Sequence, residues 1–292
     1  MKRLIVESKN DKAFVEALLL HLEPNNEVIA KNIVHALDKE GNGTSRGLSK
    51  SLLEKTLRDT LDEISLNPAN GDIQIGILID ADREKNGAGI QNRLIFVNEV
   101  MNEVFGENPN FIQPCVCKND FKTITVETPD TFETITIQIG CHFVNINGEG
   151  ELENVLMAIA DKDKAFAANC LEAWRNCYTE KLAHIPSNMH ITNIDSLDDK
   201  QLVKVWQEFF KIYDVFLEQE FDRWYIQFYH KFDTVKRTKR GNSAIDTDFE
   251  FIFLGKENNG KQVAPRYRDM YDFDNKTCNE FQELCGFLKA FL

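Results

Sequence analysis

A chain of 292 residues, 42% hydrophobic and 28% charged, has the material for one large folded domain or two small ones, which excludes a disordered or fibrous protein. Its net charge of −13 argues against a protein that coats nucleic acid nonspecifically, because that affinity comes from lysine and arginine neutralising phosphates. No apolar segment approaches the ~18 residues of a membrane helix, and the first strand runs into Glu7 without a signal-peptide core, so the expectation is a cytoplasmic protein with no membrane contact.

In chain order, Leu4, Ile5 and Val6 form a short strand with Glu7 at its exit. Asp11 then falls near the start of an amphipathic helix whose apolar residues Phe14, Val15, Ala17, Leu18 and Leu19 recur at helical spacing. Strand character follows around residues 28–30 and 32–34, and the glycine-rich stretch 38–47 reads as a loop. Residues 48–64 predict a strong helix with Leu52, Leu53, Leu57, Leu61 and Ile64 facing inward.

The most informative stretch comes next: Ile75-Gly-Ile-Leu-Ile-Asp-Ala-Asp-Arg-Glu84, an apolar run that ends in two carboxylates, Asp80 and Asp82. Such a run is the signature of a strand covered on both faces, and ligands in open α/β sheets collect at the carboxyl ends of such strands. Asp-x-Asp alone is weak, since Asp161/Asp163, Asp246/Asp248 and Asp272/Asp274 repeat it, but only the first pair follows a clean β-branched run.

Residues 90–105 predict the next helix, and 111–117, 123–127 and 134–144 predict strands. The last strand should deliver Asn147-Gly-Glu-Gly-Glu-Leu-Glu153 to the edge that carries Asp80. Glu151 and Glu153 can therefore complete an acidic site, or they can be first-turn acids that complement a helix macrodipole. Beyond residue 160 the character changes to helices at 164–182 and 202–233 with an aromatic stripe, read as a packing face in preference to a base-stacking platform. A basic run, Lys236-Arg-Thr-Lys-Arg240, reads as a solvated turn before a strand-like Phe249-Glu-Phe-Ile-Phe-Leu254. Residues 273–292 predict a final helix docked through Phe281, Leu284, Phe287, Leu288 and Phe291.

The alternation of strands and helices gives an α/β fold: a mainly parallel central sheet flanked by helices over residues 1–160, with a helix-rich half over 161–292 packed on it. Seven cysteines form neither a zinc pattern nor a disulfide framework and read mostly as buried reduced thiols. The six histidines form no metal pair, and neither a Walker loop nor a Gly-x-Ser-x-Gly elbow occurs. A haloacid-type phosphatase would carry threonine or valine where Glu84 stands.

Glu7-Ser-Lys-Asn-Asp11 resembles the Glu-Gly-x-x-Asp motif of the TOPRIM superfamily, and Ile79-Asp-Ala-Asp-Arg83 resembles its Asp-x-Asp motif, in the same order. The closest likeness is to small stand-alone toprim-like proteins of bacteria and archaea and to the nuclease domain of OLD-type proteins. Ser8 departs from the pattern by replacing glycine, which is costly if the turn needs positive φ. The resemblance implies a toprim-like fold in which Glu7, Asp80 and Asp82 hold Mg²⁺ or Mn²⁺, with Asp11, Glu151 and Glu153 as further ligands. It implies divalent-metal-dependent phosphodiester chemistry on nucleic acid, with Glu7, Asp80 and Asp82 catalytic. The alternative is a noncatalytic metal- or nucleotide-binding protein whose helical half engages a partner protein. A nucleotide-sugar transferase is a weaker third reading, since it leaves Glu7 and Asp11 without a role.

Overall fold

The computed structural model describes residues 1–24, 32–36, 48–66, 73–82, 87–106, 118–127, 134–161, 226, 229–230, 249–258 and 261–292. These fall into two compact units, the first formed by 1–159, 248–266 and 273–292 and the second by 160–247 and 267–272. The first unit is an α/β fold on a five-stranded sheet. In chain order it contains β1 (Lys2–Val6), α1 (Lys9–Leu22), β2 (Ile33–His35), α2 (Lys50–Leu66), β3 (Ile73–Asp80) and α3 (Ile90–Phe105). Then come β4 (Phe121–Glu127), β5 (Thr134–Val144), α4 (Leu152–Ala158), α5 (Phe249–Leu254), the two-stranded ribbon β6 (Lys256–Asn258) and β7 (Lys261–Val263), and α6 (Asn279–Phe291).

The sheet order is β2-β1-β3-β5-β4, with β1, β2, β3 and β5 parallel and β4 antiparallel at one edge. The chain steps from β1 to β2 on one side and returns to β3 on the other, so the exits of β1 and β3 flank a topological switch point. That is where open α/β sheets form a ligand crevice. Ile73 to Ile79 are all buried, which accounts for the unbroken apolar run of β3.

One face of the sheet packs on α2 and α3: Ile5, Ile75, Ile77, Ile79, Ile139 and Phe143 share a core with Leu53, Leu57, Val97, Val100 and Met101. On the other face, Gly76 of β3 stands in register with Gly140 of β5, and the missing Cβ of Gly76 leaves room for α6. A Cβ on Gly76 would lie 2.7 Å from Leu4 Cδ1 and 3.4 to 3.5 Å from the rings of Phe291 and Phe287. A Cβ on Gly140 would lie 2.5 Å from the Asp120 carbonyl oxygen. Phe287 fills the space, stacked on Phe121 at 5.1 Å and on His142 at 5.6 Å between ring centroids. Gln74 Nε2 donates to the Ala290 carbonyl at 2.9 Å, fixing the other end of the helix.

His142 is buried beneath α6, where Nδ1 meets Asn119 Oδ1, and burial lowers its pKa to about 3, so it is a neutral core histidine at pH 7. Cys141 and Cys285 are buried thiols outside any disulfide, while Cys278 is half-buried. Among the described residues no helix is long and apolar enough to cross a membrane.

Two expectations change. Residues 249–254 form a helix, not a strand: Phe249, Ile252 and Phe253 are the buried positions, an i, i+3, i+4 set. Alternating phenylalanines suit a strand locally, but packing decides here, because Phe253 meets Phe14 of α1 edge-on at 5.5 Å and stacks on Phe273 at 6.3 Å. The final helix begins at Asn279 instead of 273, because Asn275 Oδ1 accepts from the backbone N–H groups of Thr277 and Cys278 and holds a turn. All five of its expected docking residues are buried. The expected strands at 28–30 and 111–117, the loop at 38–47, Cys115, Cys117 and the aromatic helices of 164–182 and 202–233 lie outside the described residues, apart from Ile226, Tyr229 and His230, which are helical and buried.

In the second unit, Tyr229 Oη donates to the Met270 carbonyl at 2.6 Å and His230 Nε2 meets Tyr271 Oη at 2.7 Å. Asp161 N–H donates to the same Met270 carbonyl at 2.8 Å.

Candidate metal centre

Glu7 leaves β1 at the switch point and its carboxylate reaches across to β3. Oε2 accepts a long 3.4 Å hydrogen bond from Asp80 N–H, and Oε1 accepts one of equal length from Leu48 N–H. The next residue solves the glycine problem. Ser8 has extended backbone (φ −130°, ψ 174°), so no positive φ is required, and it is the N-cap of α1. Its hydroxyl accepts from Asn10 N–H and donates to Asp11 Oδ2 at 2.5 Å, while Ser8 N–H donates to the same oxygen at 2.8 Å. This is a capping box, with Asp11 in the return position.

Asp11 is buried, and its pKa is raised from 3.8 to about 6, first by burial and then by the charge of Glu7, against the lowering effect of the Ser8 hydrogen bonds. Ser8→Ala should cost about 1 kcal/mol of stability through the lost cap. It should also push the Asp11 carboxyl further up, and urea denaturation with a carboxyl-carbon NMR titration would measure both.

Asp80 ends β3. Its carboxyl is held well above the ordinary range, first by burial and then by the charges of Asp11, Glu7, Glu153 and Glu151. Charges from three other segments, carrying Glu7, Asp11, Glu151 and Glu153, therefore act on Asp80 at this sheet edge. One compensation comes from α4, where Leu152 N–H donates to Asp80 Oδ1 at 3.0 Å.

The turn after β5 makes this approach. Asn147 (φ 55°) and Gly148 (φ 91°) form a tight reversal closed by reciprocal Ile146 and Glu149 hydrogen bonds, the positive-φ pair expected of an Asn-Gly hairpin turn. Gly150 follows at φ 106°, where a Cβ would lie 2.6 Å from Asn154 Oδ1, so only glycine serves. Glu151 is the N-cap of α4 and is buried, with its N–H donating to Asn154 Oδ1 at 2.8 Å, and Glu153 stands in the first turn. Both alternatives for these glutamates meet here, since they occupy the helix start and also act on Asp80.

Asp82 behaves differently. Its backbone is left-handed (φ 56°) and pinned to Gly150 by two hydrogen bonds, Asp82 N–H to Gly150 O at 2.8 Å and Gly150 N–H to Asp82 O at 3.0 Å. Its carboxylate Oδ2 is ion-paired with Arg93 Nη2 on the first turn of α3. The structure thus sets the Glu7 carboxylate on the Asp80 backbone, leaves Asp11, Glu151 and Glu153 near enough for their charges to act on Asp80, and turns the Asp82 side chain to an arginine. Among the described residues no three His, Cys, Asp or Glu side chains stand as a ready ligand set.

The donor chemistry nonetheless suits a hard cation. All the converging side chains are carboxylates, the oxygen donors that Mg²⁺ and Mn²⁺ take, and their mutual repulsion is what a cation would relieve. Arg93 is the residue that sequence reasoning missed, since nothing local marks an arginine on a helix as the partner of an aspartate eleven positions earlier. The capping role of Ser8 was missed as well, although Ser-x-x-Asp before an apolar periodic run is a helix-start signal.

A family model described as a protein of unknown function (DUF3226) matches residues 1–211, which span all six of these acidic residues and Arg93. The chain belongs to the DUF3226 family. No curated protein and no solved structure matches it.

Proposed function

We propose that this DUF3226 protein is toprim-like and uses one bound divalent cation, Mg²⁺ or Mn²⁺, for phosphodiester chemistry on nucleic acid. The observation that carries the reading is the convergence of Glu7 and Asp80 at the switch-point edge of a mainly parallel sheet, with Asp11, Glu151 and Glu153 close enough to raise the Asp80 carboxyl. Glu7, whose carboxylate accepts from the Asp80 N–H, and the Asp80 carboxylate would be the first ligands, and Asp82 would join them by leaving Arg93. When bound, the cation supplies Lewis-acid polarisation of a phosphate oxygen. Asp11 and Ser8 hold the start of α1 beside Glu7, and the α4 N–H from Leu152 fixes the Asp80 carboxylate.

A second reading, a noncatalytic metal- or nucleotide-binding protein with a partner-binding helical half, is favoured by the net charge of −13, which opposes electrostatic capture of a polyanion. One assay separates the two. The full chain is incubated with single- and double-stranded DNA and RNA in Mg²⁺, Mn²⁺ or chelator, beside Glu7→Gln. Cleavage that requires the metal and is lost in the variant supports the first reading. Retained Mn²⁺ binding with no cleavage of any of these substrates overturns it and leaves the second.

A further inference from the structure

Arg93 already occupies the carboxylate that the proposed function needs. Its guanidinium cannot deprotonate in a protein, so it is a permanent cation that can only stay or move. The Arg93 and Asp82 side chains are 13% and 27% exposed, so the pair is stronger than an open surface ion pair. Arg93 is held from both ends: its N–H donates to the Gly89 carbonyl at 3.0 Å, and its guanidinium carbon lies 5.5 Å from the centroid of the Phe96 ring. Its Nε is buried and finds no acceptor among the described residues, so Asp82 alone does not saturate this guanidinium.

The Asp82 backbone cannot follow its side chain. Two hydrogen bonds to Gly150 and the Ala81 N–H to Val144 carbonyl bond at 2.9 Å hold it in place. The carboxylate is therefore the movable part of Asp82.

We infer that Arg93 is a resident counter-cation for Asp82 which an incoming divalent ion displaces, so that metal binding and the Arg93–Asp82 ion pair exclude one another. This inference rests on the metal-binding reading above and adds Arg93 to it as a positioning residue. The exclusion is a coupling free energy, and by linkage it runs both ways: a pair that weakens metal binding is itself weakened by the metal.

The test is titration calorimetry of the full chain with Mn²⁺ alone, on wild type, Arg93→Gln, Asp82→Asn and the double variant. Coupled sites typically differ by ~5-fold or more in affinity, so Arg93→Gln should tighten Mn²⁺ binding by at least about fivefold. In the Asp82→Asn background the same substitution should change nothing, because the coupling runs through that carboxylate. An equal gain in both backgrounds would mean simple long-range charge, and a loss in Arg93→Gln would mean that Arg93 organises the site; either overturns the exclusion. Wild-type binding abolished by Glu7→Gln but indifferent to Arg93 sinks this inference and leaves the metal reading standing, whereas no wild-type binding removes both. Should Arg93→Gln fail to fold by circular dichroism in chelator, Arg93→Met, which keeps the stem over Phe96, takes its place in the cycle.

Discussion

Asp80→Asn should melt at a higher temperature than the wild type in chelator at pH 7, and should lose the stabilisation that Mg²⁺ gives the wild type. The Asp80 carboxyl is pushed up by burial and by Asp11, Glu7, Glu153 and Glu151, so ionising it at neutral pH costs folding free energy. The sign follows from a folded pKa above the unfolded one: the contribution to stability is whole below the unfolded value near ~3.9 and is lost as pH rises through the folded value. Asp11 obeys the same rule with a folded value of about 6. Its displacement from 3.8 to about 6 corresponds to roughly 3 kcal/mol.

The metal-free wild type should therefore lose stability from about pH 4 to beyond pH 6, and Asp80→Asn should flatten that slope. Asparagine keeps an oxygen for the Leu152 N–H, so the α4 contact survives. At a hundredfold excess over its dissociation constant a ligand adds about 2.7 kcal/mol to wild-type stability, and none to a variant that does not bind it. Thermal melts across pH 4.5–7.5 (about the window set by these shifts), with and without Mg²⁺, decide the matter. A variant that melts lower in chelator and answers Mg²⁺ as the wild type does would make Asp80 a structural strand-end acid.

Phe287→Ala should cost about 3–5 kcal/mol, the range for truncating a buried aromatic. The ring is 2% exposed, stacks on Phe121 and His142, and packs over Gly76, which stands in register with Gly140. These backbone glycines cannot move into the space, so the cavity persists. The effect should reach the acidic edge, because Glu280 at the start of α6 accepts from Asn147 N–H at 3.1 Å and steadies the turn that presents Gly150 and Glu151. Urea denaturation and Mn²⁺ titration of the same variant should show a lower midpoint together with weaker binding. A loss under about 1 kcal/mol, the scale of an ordinary point substitution, would mean that α6 is peripheral to the core.

Much of the first unit was legible in the sequence. Residues 90–105 and 134–144 are helix and strand with the boundaries their periodicity suggests, and Leu53 and Leu57 are buried as their spacing requires. Failures cluster where local pattern and packing compete. Phe249, Phe251 and Phe253 alternate like a strand, yet contact with Phe14 and Phe273 selects the helix that buries Phe249, Ile252 and Phe253. Glu151 and Glu153 could not be divided between helix start and site from sequence, and the structure places both at the start of α4, with their charges among those that raise the Asp80 carboxyl.

By itself the sequence determined the elements and the acids at their ends, since burial periodicity and strand exits are properties of a few adjacent residues. Only the tertiary structure decided which acids meet. The Glu7 carboxylate reaches the backbone of Asp80, 73 positions away, because the strand order sets β1 beside β3 in parallel register. Asp82 turns away because α3 returns to that edge and brings Arg93 with it. Long-range register and helix docking are products of the whole core, and no local window of the chain contains them.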